Sequence, residues 1–258
     1  MIRLIIALLL ASLFSLPADA FWQSRDSNYD KSIGGFTPLN LPNLLAWYQP
    51  SGMVNTGDGT NITSWTDSSG NGNTITPFNA VTYKASGIGG VGTSNWTAGA
   101  AQYFNSGSSF AIGTGNVSVF AVVQINASVN AFVRIVELYN GSVENTPLTL
   151  AGANNVQPYF TGPNISATFG NNYRLGSVTN GSTITGYKNG ASQGTVSYST
   201  APNSPTTLYL GIYAGNLSSD SFVGYISEVV ITTGTMSATD VSNLDTYFTN
   251  KYGSTWGS

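Results

Sequence analysis

The sequence contains no cysteine and no histidine. The absence of cysteine excludes disulfides, thiolate nucleophiles and zinc sites built on cysteine. The absence of histidine excludes Ser-His-Asp triads and general bases that rely on an imidazole. The fold therefore has to be stabilised by its core, without covalent cross-links between cysteines.

Charged residues are also scarce, at 7% of the chain against about 25% in an ordinary globular domain. The chain is not expected to be disordered, because 41% of it is hydrophobic and 12% is aromatic. Its net charge is −3 and its lysines and arginines occur singly, so nucleic acid is not expected as a partner.

The N-terminus has the pattern of a secretory signal. A short basic start precedes an apolar run, Leu4–Phe14, and Ala18 and Ala20 occupy the small-residue positions before a cleavage site. The run is shorter than the roughly 20 residues that span a bilayer, so no membrane span is expected after cleavage. A secreted, periplasmic or cell-surface protein is therefore expected. The predicted organisation is a signal peptide at 1–20, a leader or attachment segment at 21–40 and one folded domain at 41–258.

From Leu44 onward, short apolar or alternating runs are separated by clusters of Gly, Asn, Ser and Pro. Their β-branched and aromatic residues are typical of strands. Asn189-Gly190 lies between two such runs and predicts a tight hairpin. The sequence predicts an all-β, antiparallel sandwich. The clearest strand candidates are Val117–Ile125, Ala131–Tyr139, Ser182–Gly190, Thr206–Ala214 and Phe222–Thr232.

One segment has helical spacing instead, and it predicts one short C-terminal α-helix. Ser237 and Asp240 form a capping-box pattern at its start, and Gly253 stands at its expected end. Its apolar stripe, expected to pack on a sheet, consists of Val241, Leu244, Tyr247, Phe248 and Tyr252.

The stretch SWTDSSGNGNTI is the most motif-like part of the chain. It opens like an EF-hand loop but lacks the bidentate glutamate at the twelfth position and flanking helices, which excludes that motif. We expect Asp67 to bond the neighbouring backbone in an Asx turn, with positive φ at Gly70 and Gly72. A looser calcium site using Asp67 or Asp58 stays open as the alternative, and no cofactor is required.

Two further patterns resemble functional motifs but are not interpreted as functional sites. GIGGVG at residues 87–92 fits a dinucleotide fingerprint, but no helical period follows it. Glu137 and Glu228 lie in strand-like runs and could meet as a pair of catalytic carboxylates. The favoured interpretation is that both are exposed strand carboxylates, and the protein is not expected to be an enzyme.

Aromatic residues near loops are the candidates for stacking on the apolar faces of sugars. Core packing is the alternative for each of them, and the sequence does not separate the two. The candidate ligand-binding residues are Trp96, Tyr103, Tyr139, Asn140, Tyr159 and Tyr213.

The order of these segments resembles the LamG-like jelly roll of the concanavalin A-like lectin/glucanase superfamily. LLAWYQPSGMV followed by ITSWTDSSGNGN is similar to the family's entry strand and turn, and LYLGIYAGNLSSDSFVGYISEVVI is similar to its closing strands. The resemblance covers roughly Leu41 to Gly253. It implies two curved antiparallel sheets, often with a calcium ion at the rim, and non-catalytic binding of glycans or proteins. The E-x-D-x-E motif of the glucanase branch does not follow Glu137.

The sequence therefore predicts an exported, non-catalytic module that binds a polysaccharide or a cell-surface glycan. The alternative is a structural or adhesion protein, such as a phage virion or tail-associated component, with other structural proteins as partners. A glycan hydrolase or lyase is disfavoured, since the acidic motif and histidine are both absent.

Overall fold

The computed structural model describes residues 35–98, 101–107, 110–113, 115–127, 133–141, 144–152, 154–158, 162–198, 204–217, 221–253 and 255–258. The predicted signal peptide and most of the predicted leader lie outside these residues. The folded unit starts at Phe36. Phe36 packs against a hydrophobic cluster that contains Leu41, and Pro38 is buried. The last residues of the predicted leader are therefore part of the domain.

The described residues contain sixteen β-strands, an α-helix and two short 3-10 turns at Pro38–Asn40 and Ile88–Gly90. The strands are β1 (Leu44–Val54), β2 (Ser64–Asp67), β3 (Thr76–Phe78), β4 (Thr82–Lys84), β5 (Thr93–Trp96), β6 (Tyr103–Asn105), β7 (Val117–Ala127), β8 (Val133–Tyr139), β9 (Glu144–Leu150), β10 (Asn155–Gln157), β11 (Ile165–Ser166), β12 (Asn172–Thr179), β13 (Thr183–Lys188), β14 (Ala191–Ser197), β15 (Thr207–Leu210) and β16 (Val223–Thr233). The helix, α1, spans Ala238–Tyr252.

The strands form two antiparallel sheets, as predicted. Sheet A has the order β14-β13-β12-β7-β16-β1-β2, with β5 also paired to β16 and β4 to β5. Sheet B has the order β11-β10-β9-β8-β15-β6-β3. The two sheets pack as a sandwich, which confirms the predicted fold class.

Sheet A is covered on both of its faces. Along β7, Val119, Ala121 and Val123 belong to the core between the sheets. The alternate residues Phe120 and Val122 pack in a second cluster that includes the buried residues of α1. Because successive side chains of a strand point to opposite faces, a strand buried on both faces has the continuous apolar run seen here.

The local predictions for the helix and the hairpin are confirmed. The Ser237 side chain accepts a hydrogen bond from the Asp240 N–H, and Gly253 ends the helix. All five residues of the predicted stripe are buried. Asn189 and Gly190 have φ values of 50° and 82° and connect β13 to β14 as a two-residue turn, the conformation of a type I′ hairpin. Within the part of the chain that the structure describes, no helix is long and apolar enough to cross a membrane.

Candidate functional site

The outer face of sheet B carries the aromatic residues that the core does not use. On β6, β8 and β15, the core-facing residues include Phe104, Leu138 and Leu208. Their neighbours Tyr103 and Tyr139 therefore project from the opposite face. Tyr209 follows Leu208 and lies on this outer face for the same reason. The outer face is thus the place where exposed rings can meet a ligand.

Four rings form a continuous row across this face, which we call the aromatic strip: Phe78, Tyr103, Tyr209 and Tyr139. Phe78 stacks on Tyr103 with 4.8 Å between ring centroids and 14° between ring planes. Tyr103 lies 5.8 Å from Tyr209, and Tyr209 lies 6.3 Å from Tyr139. Because the four residues come from β3, β6, β15 and β8, which are adjacent in sheet B, the strip crosses the strands.

Exposure is uneven along the strip. Phe78 on the edge strand β3 is 48% exposed, whereas Tyr103 in the middle is 6% exposed. Burial raises the pKa of the Tyr103 phenol. Burial, and then the charges of Tyr103, Glu137 and Tyr139, raise the pKa of the Tyr209 phenol. Both hydroxyls therefore stay protonated at neutral pH and can donate as well as accept hydrogen bonds.

The loop that follows β15 covers two charged residues beside the strip. The guanidinium of Arg134 lies 4.1 Å from the ring centroid of Tyr213, and Arg134 is 3% exposed. The carboxylate of Glu137 accepts a hydrogen bond of 2.7 Å from the Ala214 N–H. Glu137 pairs with Tyr209 in the register of β8 and β15. The loop therefore removes both charges from the surface next to the strip.

The structure brings two of the predicted ligand-binding residues together. Tyr103 and Tyr139 both belong to the strip, although Tyr209 lies between them. Asn140 follows Tyr139 at the end of β8 and is half-buried, and Tyr213 lies in the covering loop. Tyr159 lies outside the described residues.

Trp96 is placed in the core rather than at a loop edge. It is 1% exposed and makes edge-to-face contacts with Phe104 and Phe222. Its indole N–H donates to the Ser94 hydroxyl at 2.8 Å. The ring has no open face for a ligand, and Trp96 stabilises the sandwich.

Phe78 and Tyr209 are the strip residues that sequence reasoning missed. For Tyr209 a signal existed, because it alternates with the core residues Leu208 and Leu210. The tripeptide Thr76–Phe78 is too short to show a period, so no local pattern distinguishes Phe78 from a core residue.

Asp67 makes the turn contacts that the sequence predicts. One carboxylate oxygen accepts the N–H groups of Trp47 and Ser69, both at 2.9 Å. The other accepts the Ser69 hydroxyl at 2.8 Å and the Asn73 N–H at 3.0 Å. Four donors match the roughly four lone-pair sites of a carboxylate. The carboxylate thus holds the loop after β2 against β1.

Asp58 has a different partner from Asp67. It is exposed and accepts a hydrogen bond of 2.7 Å from the Ala85 N–H. Among the residues that the structure describes, no cluster of three or more acidic side chains is arranged to hold a metal ion.

Glu137 and Glu228 are both fully buried, so the expectation of exposed carboxylates was wrong for both. They also lie on different sheets, since β8 belongs to sheet B and β16 to sheet A. Glu228 follows a bulge in the pairing of β16 with β7. Its carboxylate accepts hydrogen bonds from the Trp47 indole and from the Tyr252 hydroxyl, each at 2.6 Å.

No protein-family model and no curated protein matches this sequence. Solved structures do resemble the fold. Domain 4 of AbnA, a GH43 extracellular arabinanase from Geobacillus stearothermophilus, in complex with arabinotriose, has a TM-score of 0.55 at 15% identity, covering 79% of this chain and 98% of that one. The botulinum neurotoxin serotype G binding domain has a TM-score of 0.56 at 15% identity, covering 79% of this chain and 50% of that one.

Trypanosoma rangeli sialidase in complex with sialic acid has a TM-score of 0.52 at 16% identity, and the match covers 87% of this chain but 37% of the sialidase. This chain therefore spans well under half of the sialidase and half of the neurotoxin binding domain. At these identities the likeness concerns the fold. The arabinanase domain and the sialidase were each solved with a bound saccharide, and what this chain shares with them is the fold.

Proposed function

We propose that this domain is a non-catalytic carbohydrate-binding module of the concanavalin A-like type. The observation that carries the proposal is the aromatic strip on the outer face of sheet B. Aromatic rings supply large contact area at a low cost in conformational entropy, and tyrosine adds a polar edge. A row of such rings that is exposed at its Phe78 end fits a ligand that lies along the edge of the sheet.

Most acidic side chains of the described residues make contacts within the fold, which supports a non-catalytic role. Glu228 lies under α1, and Glu137 lies under the loop that follows β15. Asp67 is occupied by turn contacts, Asp245 is paired with Arg174 at 2.7 Å, and Asp240 caps the helix. Most glycosidases use two carboxyl groups that face one bond of the substrate. Within the described residues, these side chains serve the fold instead.

The structural neighbours add weight to the same proposal. The arabinanase domain, 98% of which is covered by the match, was solved in complex with arabinotriose. Fold likeness alone does not assign a ligand, so the argument for this chain rests on its own strip. Export through a cleaved signal at 1–20 belongs to the proposal, because a glycan-binding surface is useful outside the cell.

A glycan-array measurement on the Phe21–Ser258 protein tests the proposal. The Phe78→Ala variant removes the most exposed ring and should abolish the array signal, with little loss of stability because the side chain is on the surface. Leu39→Ala is the matched control, since Leu39 is 58% exposed and lies in the turn before β1. Equal loss of binding in both variants, or no binding by folded wild-type protein, would refute the proposal.

Assembly or adhesion is a second candidate, favoured by one feature of sheet A. The edge strand β14 contains no charged residue and no proline, and most of its residues are exposed. Unpaired edges can accept a further strand from another chain. Concentration-dependent light scattering by wild-type protein, lost in a Thr195→Lys variant, would favour this role over glycan binding.

A further inference from the structure

The charge distribution around the aromatic strip limits the kind of saccharide that it can bind. The charged residues in the strands of sheet B are Arg134, Glu137 and Glu144. The first two are buried, Arg134 against the Tyr213 ring and Glu137 under the backbone of Ala214. The register places Glu144 opposite Tyr139, and its charge is negative. In the described part of sheet B, no strand therefore offers an exposed cation.

Lys188 contacts sheet B far from the strip. The Lys188 ammonium donates to the Ser166 carbonyl at 3.2 Å. Ser166 belongs to β11, which lies at the opposite edge of sheet B from β3. A carboxylate, sulfate or phosphate on a ligand at the strip would therefore find no exposed cationic partner on the described strands of sheet B. Desolvation of a charged group without a partner is costly.

The stacking geometry shows where a sugar ring has room. Tyr103 is covered on one side by Phe78 and on the other by Tyr209, and it is 6% exposed. Phe78 stacks on Tyr103 by one face, and among the described strands none lies beyond β3 in sheet B. The open aromatic face of the strip is therefore that of Phe78, at the sheet edge, followed inward by the tyrosine rings.

We infer that the strip takes an uncharged saccharide, which stacks one apolar ring face on the open face of Phe78 at the β3 edge of sheet B. This inference rests on the proposed function, because it names the ligand class of the same site. Recognition then depends on stacking and on neutral hydrogen bonds. Both are weakly sensitive to ionic strength, whereas attraction between exposed charges is screened by salt.

The test is a titration of the Phe21–Ser258 protein, followed by NMR, with uncharged and acidic trisaccharides. Arabinotriose, xylotriose, cellotriose and maltotriose are the uncharged probes, and trigalacturonate and sialyllactose are the acidic ones. We expect binding of an uncharged probe, with less than about a twofold change in Kd between low and high salt. Phe78→Ala should weaken that binding roughly tenfold or more, and Phe78→Trp, with a larger stacking face, should retain it.

The outcomes separate the ligand class from the function itself. Preferential binding of an acidic trisaccharide, or a fall in affinity of about tenfold with added salt, would overturn the inference and leave a carbohydrate-binding function standing. An unchanged Kd in Phe78→Ala, with Leu39→Ala also unchanged, would overturn the placement on Phe78. The absence of binding to every probe would count against both the inference and the proposed function.

Discussion

The ammonium group of Lys251 lies 3.0 Å from the carboxylate of Glu228, and both side chains are buried between α1 and sheet A. The Tyr247 hydroxyl bonds to the same carboxylate at 3.0 Å, and Lys251 also donates to the Gln49 side chain at 3.0 Å. A charge inside a protein is tolerated when it is paired and its remaining hydrogen-bonding positions are filled. This pair therefore joins the last helix to β1 and β16 at a defined position.

Lys251→Met should destabilise the domain strongly, because it leaves Glu228 as an uncompensated buried charge. We expect a loss of about 3–5 kcal/mol in the free energy of unfolding, measured by urea denaturation. Lys188→Met is the matched control, since the hydrogen bond of Lys188 is exposed, and it should change stability by about 0.5 kcal/mol or less. Similar losses in the two variants would contradict the structural role of the buried pair.

Asp67→Ala should destabilise the turn after β2. It removes the acceptor for three backbone N–H groups, of which the Trp47 N–H is buried. We expect a loss of about 1–3 kcal/mol and a smaller loss for Asp58→Ala, which removes one exposed hydrogen bond. Thermal denaturation of the variants and of the wild type measures both.

The same measurement decides between the turn and a calcium site. A ligand that binds only the native state raises Tm. We expect the Tm of the wild-type protein to be equal in calcium and in chelator. A rise in calcium that disappears in Asp67→Ala would instead identify Asp67 as a metal ligand.

Alkaline pH should destabilise the protein above the ordinary pKa of tyrosine. Burial raises the phenol pKa of Tyr198 from 10.0 to about 12. Burial also raises the pKa of Tyr48, Tyr103, Tyr187 and Tyr209. Above pH 10 the unfolded chain therefore releases these protons before the folded protein does. The native state then binds more protons, so the free energy of unfolding falls as pH rises.

Urea denaturation at steps from neutral pH to pH 11 measures this fall. Tyr198→Phe removes one of the raised groups and should reduce the slope above pH 10. A free energy of unfolding that stays constant up to pH 11 would contradict the burial of these hydroxyls.

The elements with strong local patterns could be predicted from the sequence. The α1 stripe, its Ser237 cap, the Asn189-Gly190 turn and the Asx turn at Asp67 each depend on residues a few positions apart. The sandwich followed from many short strands separated by turn-forming residues. In each of these cases local chemistry and the global fold agree.

The candidate site was predicted only in part, because it is assembled from distant strands. Tyr103 meets Phe78 and Tyr209 only after β6 pairs with both β3 and β15. The burial of Glu228 follows from a bulge in β16 and from the position of α1. Both the strip and the burial of Glu228 depend on how distant segments pair and pack. The residue pattern along a single strand does not predict that pairing.

Substitutions at and around Trp96 test whether this residue belongs to the core or to the binding surface. Its ring contacts Phe104 and Phe222, and the backbone of Gly211 approaches it so closely that a Cβ there would clash with the indole. Trp96→Ala should cost about 3–5 kcal/mol in the free energy of unfolding. Gly211→Ala should also destabilise the fold, because Gly211 has a φ of 84° and has no space for a side chain.

Saccharide affinity separates these core variants from the strip variants. Protein with Trp96→Ala or Gly211→Ala that is still folded should bind the best trisaccharide with an unchanged Kd, whereas Phe78→Ala should lose binding without losing stability. Urea denaturation and NMR titration of the same preparations give both quantities. If Trp96→Ala lost affinity while it kept wild-type stability, Trp96 would be a ligand-binding residue and its burial in the core would be refuted.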